Sequence, residues 1–77
     1  MLAKVIKFSM QGCSWCEKWD QEEKPFLHPC EFVEDFSGGG KTKFPSFDVI
    51  HNDKTLHLDG YQTALEIQQA IRRLEEN

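Results

Sequence analysis

The sequence predicts an α/β domain, a four-stranded mixed sheet in the order β-α-β-β-β-α with flanking helices. Three observations lead there. A β-rich stretch from Lys4 to Phe8 runs through a Gly12 break into Cys13-Ser14-Trp15-Cys16, which opens a helix. Two stretches on either side of Asn52-Asp53-Lys54 read as a hairpin. Thr63-Ala64-Leu65-Glu66 reads as a capping box, and apolar residues at helical spacing follow it.

The elements follow in order. Lys4-Val5-Ile6-Lys7-Phe8 is the first strand, and Gln11-Gly12 breaks it. The first helix opens at Cys13 and sets Trp15 and Trp19 one turn apart. It ends at Pro25, because the residue before a proline avoids the helical region. Within it, Asp20 to Glu23 reads as a solvated acidic face. Phe26 to Pro29 connects to a second strand, Cys30 to Phe36. Strand, helix of about ten residues and strand then form a right-handed βαβ unit with parallel strands. Ser37 to Lys43 is a loop, too short and Gly-rich for a helix. Phe44 to His51 is the third strand, with Pro45 at its start, where a missing N–H is tolerated. Thr55 to Leu58 is the fourth. In the last helix Ala64, Ile67, Ile71 and Leu74 form the apolar stripe, and Arg72 and Arg73 suit the negative end of the helix dipole. The pattern leaves open whether the helices cover both faces of the sheet or share one.

The bulk numbers narrow the function. The 77 residues make one domain, residues 1–77, with a thin core. A formal charge of −4 argues against nucleic acid as a partner. No apolar run approaches the ~20 residues that cross a bilayer. Lys4 and Lys7 interrupt the N-terminal apolar stretch and no cleavage site follows, so a cytoplasmic location is expected. Three cysteines is an odd count, which points away from a disulfide scaffold and toward redox or metal chemistry. A monomer is expected.

Cys13 and Cys16 carry the chemistry. At a helix N-terminus the free amide hydrogens and the dipole favour negative charge. A thiol there can fall from ~8.5 to between ~3.5 and ~7.5. Cys13 is therefore the expected exposed nucleophile, and Cys16, one turn inward, the resolving thiol. Trp15, between them, is expected to cover the dithiol and offer an apolar docking surface, while Trp19 enters the core. The competing reading is a small zinc-binding structural domain using Cys13, Cys16, His28 and Cys30, in which the metal would supply folding energy.

With Val5-Ile6-Lys7-Phe8, Gly12-Cys13-Ser14-Trp15-Cys16, Phe44-Pro45 and the Gly60-Tyr61 turn in hand, the chain resembles the glutaredoxin-like redoxins over nearly its whole length. The aromatic before the second cysteine is similar to the C-P-Y-C of glutaredoxins. The resemblance implies a thioredoxin-like fold whose middle helix is replaced by the Ser37 to Lys43 loop. It implies a thiol–disulfide oxidoreductase, with Cys13 and Cys16 catalytic and Trp15, Phe44, Pro45, Gly60 and Tyr61 binding substrate. It further implies that Pro45 is cis and keeps metals off the dithiol, leaving the Phe44 backbone to pair with a substrate chain. No bound cofactor and no metal is required, although some relatives bridge an iron–sulfur cluster. The partners implied are a disulfide-containing protein, such as ribonucleotide reductase, and an electron donor, either glutathione or a flavoenzyme reductase. Two departures weigh against glutathione. Met10 stands where glutathione-using members carry Lys, and Tyr61-Gln62-Thr63 stands where they carry an acidic pair.

Some features read as incidental. Gly38-Gly39-Gly40-Lys41-Thr42 imitates a phosphate loop, but Asp35 occupies the first glycine position and Phe44-Pro45 follows instead of a helix. Cys30 reads as a small apolar residue at a strand start, and His51 and His57 as solvent-facing. Alternation does not decide Lys7, which either lies beneath the dithiol or faces water; water is preferred.

Overall fold

The computed structural model describes every residue except Met1, His28 and Asn77. Its elements are β1 (Lys4–Phe8), α1 (Ser14–Glu22), a 3-10 turn (Lys24–Phe26), β2 (Glu31–Asp35), β3 (Ser46–His51), β4 (Lys54–Leu58) and α2 (Ala64–Glu76). The four-stranded sheet has the order β2-β1-β3-β4. β1 runs parallel to β2, while β3 is antiparallel to both β1 and β4. The sheet is therefore mixed and open, as the sequence predicts.

Element boundaries depart from expectation in small ways. The first helix does not stop dead at Pro25. It ends at Glu22, and Lys24-Pro25-Phe26 adds a 3-10 turn with the proline in its first positions, where no N–H is needed. β3 begins at Ser46, so Phe44 and Pro45 precede the strand. Lys54 joins β4, leaving Asn52-Asp53 as the turn, with Asn52 at φ 57. The capping box forms in both directions: Thr63 N–H donates to Glu66 Oε1 at 2.8 Å, and Glu66 N–H donates to Thr63 Oγ1 at 3.1 Å.

Strand register sorts the side chains into two faces. Phe32, Val5, Val49 and Leu56 align across the sheet, and beside them run Glu34, Lys7, Phe47 and Leu58. Both helices close on this face. Trp19 of α1 and Ile67, Ala70 and Leu74 of α2 share one buried cluster with Val5, Phe47 and Val49. Trp19 is fully buried, stacked on Phe32 at 5.6 Å and tilted against Phe47 at 5.0 Å. Ala70 rather than Ile71 completes the buried stripe, and Ile71 sits at its edge.

Among the described residues no helix packs on the opposite face. The loop between β2 and β3 rests on it at Phe8 and Asp48. Lys41 Nζ lies 5.1 Å from the Phe8 ring centre and 3.0 Å from Asp48 Oδ1, so the phosphate-loop lysine is committed to the sheet. Asp48 also meets His57 Nδ1 at 2.6 Å. Gly39 has φ +52, and a Cβ there would run into the Phe8 ring, which is why glycine stands at the point of contact. Gly39→Ala is therefore expected to cost about 1–3 kcal/mol by displacing the loop from Phe8. Urea unfolding measures this; an unchanged midpoint would mean that the loop does not rest on the sheet.

Candidate functional site

Where β1 ends, the chain turns once and enters α1. Ser9 N–H is held by Asp35 O at 2.9 Å and Cys13 N–H by Met10 O at 3.3 Å. Gly12 takes φ +75 within this turn. Cys13 is extended and caps the helix: its Sγ accepts from Cys16 N–H at 3.1 Å, and its carbonyl accepts the Glu17 N–H at 3.2 Å. The sulfur thus occupies the place a serine or aspartate oxygen usually takes. Cys13 and Cys16 are joined by a disulfide, with Cα atoms 5.3 Å apart. Cys16 is buried and Cys13 half-buried, so the pair presents one accessible sulfur.

Lys7 corrects the sequence reading. It does not face water; it is fully buried beneath α1. Its parity with Val5 puts it on the covered face, and there its ammonium meets Cys16 O at 3.1 Å, Asp20 Oδ1 at 2.8 Å and Glu34 Oε2 at 2.6 Å. Burying an ammonium is tolerable only with such partners. Ser9 Oγ donates to the same Glu34 oxygen at 2.9 Å. Burial alone would raise the Glu34 carboxyl. The hydrogen bonds from Lys7 and Ser9, with the charges of Lys7 and Lys24, outweigh it and hold the group below its ordinary value.

The acidic run is likewise more than a solvated face. Asp20 holds Lys7, and Glu23 bridges to α2: its Oε1 accepts the Ala64 N–H at 3.0 Å, and its Oε2 faces the Tyr61 hydroxyl at 3.4 Å. Burial and the charges of Glu23 and Glu22 push the Tyr61 phenol up. Trp15 is exposed and meets Tyr61 edge to face, with ring centres 5.9 Å apart. Gly60 N–H donates to Ser46 Oγ at 3.2 Å, which ties the Gly60-Tyr61 turn to the start of β3. The Phe44–Pro45 peptide bond is cis, and Pro45 is buried immediately before Ser46, the residue paired with Phe8. Cys13, Cys16, Trp15, Phe44, Pro45, Gly60 and Tyr61 therefore collect at one end of the sheet.

The zinc arrangement is not assembled. Glu31 N–H bonds to Ala3 O at 2.9 Å, so Cys30 lies beside the beginning of β1, whereas Cys13 follows its end, a strand length of about 15 Å away. His28 lies outside the described residues. Among the described residues no cluster of His, Cys, Asp and Glu is placed to hold a metal. Burial pushes the Cys30 thiol up, which suits a packing role.

Asp20, Glu34 and Glu23 are the residues that sequence reasoning missed, and Lys7 is the one it left between two places with water preferred. A lysine two positions after a core valine on a short strand was the available signal, since both must share a face. No protein-family model matches the chain, and no curated protein sequence does. One solved structure, described as a malarial protein, superposes with a TM-score of 0.71 at 12% identity, covering 95% of this chain and 97% of that one. The fold is thus shared with a protein of very different sequence.

Because Glu34 is depressed in the folded protein, it binds fewer protons folded than unfolded. Its contribution is present above the ordinary carboxylate value of about 4.3 and is lost as pH falls through the folded value. Urea midpoints measured from pH 7 to pH 3 should fall, and Glu34→Gln should flatten that fall. An identical slope in wild type and variant would exclude the Lys7–Glu34 pair as a source of acid sensitivity.

Proposed function

We propose that the protein is a thiol–disulfide oxidoreductase with a thioredoxin-like fold, related to the glutaredoxins, which reduces protein disulfides through Cys13 and Cys16. The observation that carries this reading is the position of Cys13 Sγ. It caps α1, where it accepts an amide hydrogen, and it is already bonded to the buried Cys16. The exposed Trp15 and the buried Pro45 at the same end of the sheet support the reading.

The cycle starts from the reduced dithiol. The Cys13 thiolate attacks one sulfur of the substrate disulfide. A Cys13–substrate S–S bond forms, the substrate S–S bond breaks, and the leaving sulfur takes up a proton. Cys16 then loses its thiol proton and attacks Cys13 Sγ. The intramolecular disulfide closes, and the second substrate thiolate departs and is protonated. Two electrons have passed from protein to substrate, together with the Cys16 proton and one proton taken up from water. A thiol donor reverses the sequence: either glutathione or the dithiol of a flavoenzyme reductase. No metal or bound cofactor enters these steps. Lys7 holds the Cys16 carbonyl and so fixes the first turn of α1 while the sulfurs exchange. A single-copy electron carrier in a reducing cytoplasm, serving an enzyme such as ribonucleotide reductase, fits this chemistry.

Cys13→Ser is expected to reduce turnover of a model disulfide to the uncatalysed rate. Cys16→Ser should still form the first bond and accumulate mixed disulfide, visible as an added mass on Cys13. Full activity in Cys13→Ser would remove the nucleophile and with it the proposal.

A further inference from the structure

A cleft of about 360 Å³ opens directly against the dithiol, with both Cys13 and Cys16 in its wall. It lies on the β2 side of the sulfurs, away from the Trp15–Tyr61 pair. Glu17, Asp20 and Glu34 also line it. The ammonium that answers these carboxylates is Lys7, which is fully buried and binds Asp20 and Glu34 from behind. Lys24 adds only a more distant charge toward Glu34. Lys18, the lysine of α1, reaches the opposite way: its Nζ is 4.9 Å from the Trp15 ring centre and 3.8 Å from Glu22. A group entering the cleft therefore meets three carboxylates and no accessible ammonium. Apolar surface stands beside them, since Met10 and Phe36 line the same cleft and are exposed.

We infer that this cleft selects the substrate: the protein prefers peptide disulfides flanked by lysine or arginine. The inference rests on the redox reading and deepens it. A long cationic side chain suits a pocket of this composition. Its aliphatic stem packs on Met10 and Phe36 while its charged head reaches the carboxylates. Since both cysteines line the cleft, a flanking cation also brings the scissile S–S bond to Cys13. The same field disfavours anionic disulfides, including oxidised glutathione, whose carboxylates outnumber its amines. The bond changes are those of the first exchange step: the Cys13–substrate bond forms and the substrate disulfide opens.

The test uses pre-reduced protein in a single turnover, so no electron donor is needed. Three disulfide peptides differ only in the residues beside the cysteine: lysine, glutamine or glutamate. The expected rate constants fall in that order, with about a tenfold span between lysine and glutamate at low salt, the sum of a few partly exposed charge contacts. At 1 M salt, where the screening length is about 3 Å, the span should close toward unity. Glu17→Lys, a change at an exposed helix position, should shrink or invert it. Equal rates for all three peptides, or a span indifferent to both salt and Glu17→Lys, overturn the inference and leave the redox reading standing. Reaction with none of the three overturns the redox reading and this inference together.

Discussion

Lys7 enters the covered face of the sheet fully buried, so protein groups have to meet its charge. They come from three places: a carbonyl in the first turns of α1, a carboxylate one turn further along that helix, and a carboxylate on β2. Each contact is short, and together they fasten the start of the helix to β1 and β2. A buried ammonium without them would cost several kcal/mol, so the sheet, the helix and the two acids have to be in place together. The capping geometry of Cys13 inherits that fixity. Its sulfur sits against the amide of Cys16, whose carbonyl Lys7 holds from below.

The second anchor is aromatic. Trp19 fills the centre of the core between Phe32 and Phe47, and its indole N–H donates to Gln62 O at 2.7 Å. That bond draws the segment before α2 against α1, and Glu23 adds a further link by accepting the Ala64 N–H. The two helices are thereby joined on one face, and the Gly60-Tyr61 turn is set beside Trp15. The dithiol ends up between unlike neighbours: the exposed Trp15 packed on half-buried Tyr61 on one side and an acidic cleft on the other. A surface this asymmetric can orient a disulfide before any covalent step, which is where selectivity between chemically similar S–S bonds has to arise.

The local part of this was legible in the sequence. β1 occupies the predicted residues, the hairpin closes around Asn52-Asp53, and the Thr63–Glu66 box forms as written, because each depends on residues within a few positions of one another. The Cys13 to Cys16 spacing likewise reads directly as a closable pair. What stayed hidden depends on contacts between distant residues. Alternation leaves Lys7 undecided between a place beneath the dithiol and water, and only the arrival of Asp20 and Glu34 from other elements makes its burial acceptable. Glu23 looked like surface charge until α2 was set beside it. The placement of both helices on one face follows from Trp19 meeting Ile67 and Phe47, which no periodicity along a single segment reveals. The spacing of Cys13, Cys16, His28 and Cys30 suits a shared metal, but the parallel pairing of β1 and β2 sets Cys30 at the opposite end of the sheet from Cys13.

On the proposed redox reading, the amide hydrogen aimed at Cys13 Sγ favours its thiolate once the pair is reduced. Alkylation of the reduced protein by iodoacetamide, followed at each cysteine by peptide mass across pH 4 to 10, reads that property directly. Cys13 should react first, with an inflection well below the ~8.5 of an ordinary thiol, while Cys16 and Cys30 lag behind. An inflection at or above ~8.5 for Cys13, or faster labelling of Cys16, would contradict the account.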